Sequence, residues 1–348
     1  MANIIIDPVI VTTPADNAGR AEVEAWLENL TIWLNEALTA PFTWQHYLQA
    51  SQLLEANGHF PSFEQLRRLQ QKYRLDINIR QIARSVDDFF RDDKHDLYNH
   101  LKHLDYAIEF ESGSITITPE HFIARLPEYI HDDLRTLVAE CCACKHIDHP
   151  FGQELNIATL ALPDGSREIA VSVVVLYALP DFARPADNKI AQTLPLLITP
   201  EDLLPLTDVL DLWAKGEQGI IYAINQQYKK DWSGTATSSF KFQLGPRFIE
   251  SVKERGLGTN ETMLRIIVRA ASSVIAGRAK DIPSCELHPF RKSETADSPQ
   301  LIRDSDHARA WRLMLQKRGA GWRLHYWQTP GYIIEFANVC KESEREIY

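Results

Sequence analysis

The sequence predicts an α+β protein. Three observations carry that expectation. Apolar residues recur at helical spacing through the first hundred positions. Further along, pairs of alternating segments flank turn dipeptides. No regular strand–helix–strand alternation runs through the chain, as a doubly wound sheet would require.

The elements follow in order. Val23, Trp26, Leu27, Leu30, Trp33, Leu34 and Leu38 mark one face of a first helix. Thr43 is placed to cap a second, which Asn57 and Gly58 end. Ser62 and Gln65 have capping-box spacing at the start of a third. Asn78 caps a fourth, whose apolar face is Ile79, Ile82, Ala83, Val86, Phe89 and Phe90. The period then changes to two over 106–110 and 114–118, around Ser112 and Gly113, which predicts a hairpin. Thr118 and Pro119 open the next helix. Helices, a two-stranded wing and a closing helix, in this order over 62–126, resemble the winged-helix family in pattern. That resemblance implies contact with nucleic acid or with protein. Residues 64–105 carry 9 Lys and Arg against 8 Asp and Glu, a near-balance that favours protein contact.

A second hairpin is expected from 157–162 and 168–179 around Asp164 and Gly165, and 180–188 reads as a linker. Thr199 opens a helix reaching Trp213, and 246–255 and 261–275 form two more, the latter capped by Asn260. Residues 306–318 read as a helix capped by Ser305 or Asp304. A third hairpin joins 322–327 to 332–339. The expected division is a mainly helical domain with a closing hairpin (1–118), an α+β middle module (119–190) and a basic α+β module (191–348).

Composition narrows the function classes. Apolar residues make up 45% of the 348 and charged residues 24%, ordinary values for a globular chain. The start of the chain lacks Lys and Arg and meets an acid at Asp7, unlike a signal peptide. The longest apolar run, 169–179, is too short to span a bilayer, so no membrane partner is expected. Cys141, Cys142, Cys144, Cys285 and Cys340 are odd in number and irregularly spaced, which argues against a disulfide framework and for a reduced, cytoplasmic setting. Gly-rich phosphate loops, dinucleotide fingerprints and Gly-x-Ser-x-Gly elbows are absent. Asp164 and Glu168 lack the lysine a metal-nuclease core would add, and Asp164 is better read as a turn residue.

Charge points to one region. Residues 241–323 carry 16 Lys and Arg against 9 Asp and Glu, a net of +7 in a chain whose total is −10. Within it, Arg291, Lys292, Arg309, Arg312 and Arg323 are the candidate anion- or nucleic-acid-binding residues. Arginine forks match phosphate oxygens two at a time. On the expected helix Arg309 and Arg312 share a face, and on the following strand Arg323 and His325 share a side. The bland alternative pairs Arg309 and Arg312 with Asp304, Asp306 and Glu335. Were the site catalytic, His288 and His325 would exchange protons while the arginines hold phosphate. A separate cluster, Cys141, Cys142, Cys144, His146, Asp148 and His149, holds possible zinc ligands, and a tetrahedral set would be Cys141, Cys144, Cys285 and His288. Cys141 also lies on the apolar stripe of Leu134, Leu137 and Val138, so the reading favours buried thiols, with no metal and no cofactor.

These residues point to a non-catalytic, cytoplasmic subunit or adaptor. It would bind nucleic acid or another phosphate-rich ligand through the basic module and a protein partner through its N-terminal helices. The lack of metabolic motifs suits a bacterial multi-protein defence system. The alternatives are a metal-independent nuclease and a structural protein-interaction subunit without ligand.

Overall fold

Ile4, Ile5 and Ile6 are all buried, and they form the first strand of a mixed sheet in a region where the sequence predicts helices alone. The computed structural model describes residues 2–101, 108–147, 150–178, 188–206, 208–232, 234, 239–282, 286–293, 295, 297–316 and 321–348. It divides into two compact units, Met1–Leu206 and Thr207–Tyr348. The cuts expected after residues 118 and 190 both fall within the first. Helices and strands mix in both units, an α+β class as expected. Among the described residues no helix is long and apolar enough to cross a membrane.

The first unit begins β1 (Asn3–Ile6), α1 (Arg20–Thr39), β2 (Thr43–His46), α2 (Leu48–Ala56), α3 (Phe63–Tyr73), α4 (Ile79–Phe90) and the single turn α5 (Tyr98–Leu101). It continues β3 (Ile108–Phe110), β4 (Thr116–Thr118), α6 (His121–Ala124), α7 (His131–His146), α8 (Pro150–Gln153), β5 (Leu155–Ala158), β6 (Glu168–Ala178) and β7 (Lys189–Leu197). The sheet order is β2-β1-β5-β7-β6-β3. The first four strands run parallel, and β6 is antiparallel to β7. Thr43 therefore starts a strand and does not cap a helix. Strands buried on both faces show continuous apolar runs without alternation, and four residues are too few to display a period.

Two expected hairpins are rearranged. Asp164 does make a turn: its carboxylate accepts from the backbone N–H of Ser166 at 3.0 Å, and Gly165 takes φ +74°. The strands on either side do not pair with each other, because β5 lies between β1 and β7 while β6 pairs with β7. Likewise β3 and β4 both pair with β6, at Phe110↔Val175 and Thr116↔Ser172, and lie in tandem along it. Residues 102–107, where the first arm of that hairpin was expected to begin, lie outside the described residues.

The helices follow the sequence closely. Val23, Trp26, Leu27, Leu30, Trp33 and Leu34 form the buried face of α1, while Leu38 is exposed. The Ser62 hydroxyl accepts from the N–H of Gln65, and the Asn78 side chain from that of Gln81, so α3 and α4 are capped as expected.

The second unit contains α9 (Val209–Ala214), α10 (Glu217–Trp232), β8 (Phe242–Leu244), α11 (Phe248–Glu254), α12 (Glu261–Ile275), β9 (Leu287–Pro289), β10 (Arg309–Met314), β11 (Trp322–Gln328) and β12 (Ile334–Lys341). Its sheet order is β8-β12-β11-β10-β9. Asn260 caps α12 through the N–H of Met263. The expected hairpin β11–β12 is present, with a bulge at His325 and Tyr326. Phe248 of α11 packs on Phe336 of β12 at 6.0 Å between ring centroids, so α11 covers one sheet face. Against the other face, Phe290, Ala308, Ala310, Trp327 and Ala337 form a buried cluster joined by Leu301 and Ile347. The helix expected over 306–318 is a correction: Arg309–Met314 is a strand in the middle of this sheet.

Candidate anion-binding site

That correction re-sorts the arginines. Side chains three apart share a helix face but lie on opposite faces of a strand. Arg312 sits opposite His325 of β11 and His288 of β9, and Met314 sits opposite Arg323. Arg312, Arg323 and His325 thus share one face of the sheet. Arg309 lies on the other, exposed and opposite Gln328.

On the first of these faces is a cavity of about 370 Å³. Arg291, Arg312, Arg323 and Arg345 line it, together with Phe290, His325, Ser293, Glu342, Ser343 and Glu344. Lys292 does not. Four guanidinium groups meet two carboxylates, and the carboxylates are engaged unevenly. Glu342 accepts from Arg323. Glu344 accepts from Nε of Arg255 at 3.1 Å and from the same guanidinium's Nη2, which holds its carboxyl below the usual range. Arg345 donates to the backbone carbonyl of Arg291 at 3.0 Å and lies over the Phe290 ring.

Arg312 differs from its neighbours. Among the described residues its side chain has no ion pair, and its Nε is buried without a hydrogen-bond partner. Burial comes first among the causes that lower its pKa; the charges of Arg323 and Arg345 add to it and Glu342 opposes it. A buried donor without an acceptor is unfavourable on its own, and like charges nearby add to the cost. The side chain of Arg291 also has no ion pair among the described residues. Of the carboxylates expected to neutralise Arg309 and Arg312, Asp306 and Glu335 are occupied elsewhere, and exposed Asp304 pairs with neither arginine among the described residues. Arg303 binds Asp306 through two nitrogens, at 3.0 and 2.7 Å, and Glu335 at 2.7 Å. That fork pulls the Asp306 carboxyl down to about 2.

His325 lies against this cluster almost wholly buried. Burial pushes its pKa down to about 4; the Glu346 carbonyl opposes the shift, and Arg323 and Arg312 reinforce it. Nδ1 is 3.1 Å from that carbonyl, which can only accept, so Nδ1 carries the proton. The ring meets Phe290 edge to face at 4.8 Å. A neutral imidazole so far from a near-neutral pKa is poorly matched to proton transfer. His288 is half exposed, 3.5 Å from Glu286. It is separated from His325 by β10, about 10 Å across two strand spacings. Arg312 stands between the two histidines, which do not come together as an acid–base pair.

Cys141, Cys142 and Cys144 are buried in α7. Burial raises all three thiols, Cys142 and Cys144 to about 12. Cys285, Asp148 and His149 lie outside the described residues. Among the described residues no group of three or more His, Cys, Asp or Glu is arranged to hold a metal ion.

Sequence reasoning missed Arg345 and Phe290. Arg345 follows β12 within a stretch that reads as acidic, beyond the basic run that ends at Arg323. Its only signal was its place after the last strand, from which a returning tail can reach the sheet. The tail does return: the carbonyl of Glu346 accepts from Asn338 at 3.0 Å and that of Tyr348 from Trp327 at 2.8 Å. No protein-family model, curated protein or solved structure matches this chain.

Proposed function

We propose that the chain is a non-catalytic binding subunit whose second unit takes a phosphate group of a nucleic acid or another phosphate-rich ligand in the arginine cavity. One observation carries this reading: Arg312 is partly buried, its Nε has no partner among the described residues, and three further guanidinium groups line the same cavity. A phosphate oxygen there would satisfy that donor and offset the mutual repulsion. The cavity has room for one phosphate and its immediate substituents, and exposed Glu342 repels a long polyanion laid across the opening. The reading therefore favours a terminal or single backbone phosphate over a continuous groove. Pocket His325, neutral and hydrogen-bonded to the backbone, supports binding over cleavage.

Fluorescence anisotropy with a short labelled single strand, with and without a 5′ phosphate, tests it. The phosphorylated strand should bind more tightly, with log K falling against log salt at a slope steeper by about 0.7, the contribution of one phosphate contact on a single strand. Arg312→Ala should abolish the preference for the phosphorylated end. Equal binding of both strands by both proteins would overturn the proposal.

A further inference from the structure

The carboxyl ends of the parallel strands in the first unit hold a different kind of cavity. From β1 the chain crosses by α1 to β2, on one side; from β5 it continues to β6 and β7, on the other. Adjacent connections that diverge in this way leave a crevice outside the strand ends, and open sheets with parallel strands bind ligands there. Here the crevice is a cavity of about 530 Å³, within the range of small-molecule sites. The loop after β1 lines it with Val9 and Thr13, α1 with Trp26, and the segment after β5 with Leu160.

Its chemistry is unlike that of the arginine cavity. Arg125 lines it, but each guanidinium nitrogen is already engaged. Nε donates to the carbonyl of Phe122 at 3.1 Å, Nη1 to that of Leu160 at 3.0 Å, and Nη2 to buried Asp7 and to Thr159. An anion would have to compete with the buried Asp7 carboxylate for that cation. A cation would meet only Glu22, which is exposed, and exposed ion pairs contribute little. The remaining wall is largely apolar; its polar groups are Thr12, Asn29, His59, whose Nδ1 lies 2.7 Å from the Tyr129 hydroxyl, and the Thr13 hydroxyl, buried and without a partner among the described residues. We infer that the first unit carries a second binding site, for an uncharged small molecule with an apolar body, at the carboxyl ends of β1 and β5. This site is independent of the phosphate reading.

Benzamide, benzoate and benzamidine test it, because they present one ring with a neutral, an anionic and a cationic head. Saturation-transfer NMR on the full chain should show benzamide bound, with both charged analogues at least about tenfold weaker. Ala25 is exposed on α1 at the mouth of the cavity, so Ala25→Trp should block entry and remove the benzamide signal. Asn29→Trp, one turn on along the same face, should do the same, and it decides the matter if the first variant loses its cooperative melt. Arg312→Ala, in the other unit, should leave benzamide binding unchanged. No benzamide binding, equal binding by folded tryptophan variants, or charged analogues held as tightly would overturn the inference.

Discussion

Arg125 and Arg312 are the same side chain in opposite situations. Arg125 reaches Asp7, Thr159 and two backbone carbonyls, so its charge and every nitrogen are answered within the fold. Arg312 stands among three other arginines with a buried Nε that has no partner among the described residues. The first arrangement joins β1, β5 and the segment after α6. The second leaves a buried donor unanswered among the described residues, which is unfavourable. The difference separates an arginine that builds the fold from one that, on the proposed reading, a ligand would complete, and neither burial nor local charge count alone would make that separation.

The largest effect should come from the answered arginine. Arg125→Ala strands the Asp7 carboxylate in the interior and should cost about 3–5 kcal/mol in urea unfolding, with phosphate binding by the folded protein unchanged. A loss under about 1 kcal/mol would erase the contrast. Arg312→Ala should behave in reverse. Phosphate-dependent binding should weaken by about 2 kcal/mol, near thirtyfold, while stability stays within about 0.5 kcal/mol or rises.

Next in size is a pH effect next to the arginine cluster. His325 has its pKa pushed down to about 4 in the folded chain, against an ordinary value of 6.5. The unfolded chain therefore takes up the proton first as pH falls. The stability this histidine confers is complete above pH 6.5 and is lost progressively toward about 4, at no more than about 1.4 kcal/mol per pH unit. His46 in the first unit, buried against Phe89 and Phe90 and also pushed down to about 4, acts in the same window with the same sign. Urea unfolding between pH 6.5 and 5 should show the wild type losing about 1–2 kcal/mol more than His325→Gln. Parallel losses would mean that His325 is solvated. The smallest effect belongs to Arg309→Ala, on the far face of the sheet, which should change neither binding nor stability by more than about 0.5 kcal/mol.

The sequence showed some of this arrangement and concealed the rest for identifiable reasons. Long elements with a clear period or a polar cap were legible: α1 from its apolar face, α4 and α12 from Asn78 and Asn260, and the β11–β12 hairpin from its alternation. Short strands buried on both faces were not, because β1 and β2 have four residues each and no alternation to display. Strand β10 was misread because two periods fit it. Trp311 and Leu315 are four apart, as in a helix, but Leu313 between them completes an alternation that places Arg312 and Met314 on the other face. The site was half legible. Arg291, Arg312 and Arg323 were identified from charge and do converge, whereas Arg309 was grouped with them by the helical spacing and is parted from them by the strand. Arg345 comes from a tail whose return to the sheet depends on side-chain bonds to the Glu346 and Tyr348 carbonyls, which no local pattern announces.

The most direct test is whether phosphate completes Arg312. Urea unfolding of the full chain and of Arg312→Ala should be followed with and without inorganic phosphate at constant ionic strength. Phosphate binding to the folded state should stabilise the wild type by an amount that grows with the logarithm of concentration, and stabilise Arg312→Ala far less. Equal stabilisation of both proteins, or of neither, would contradict the account.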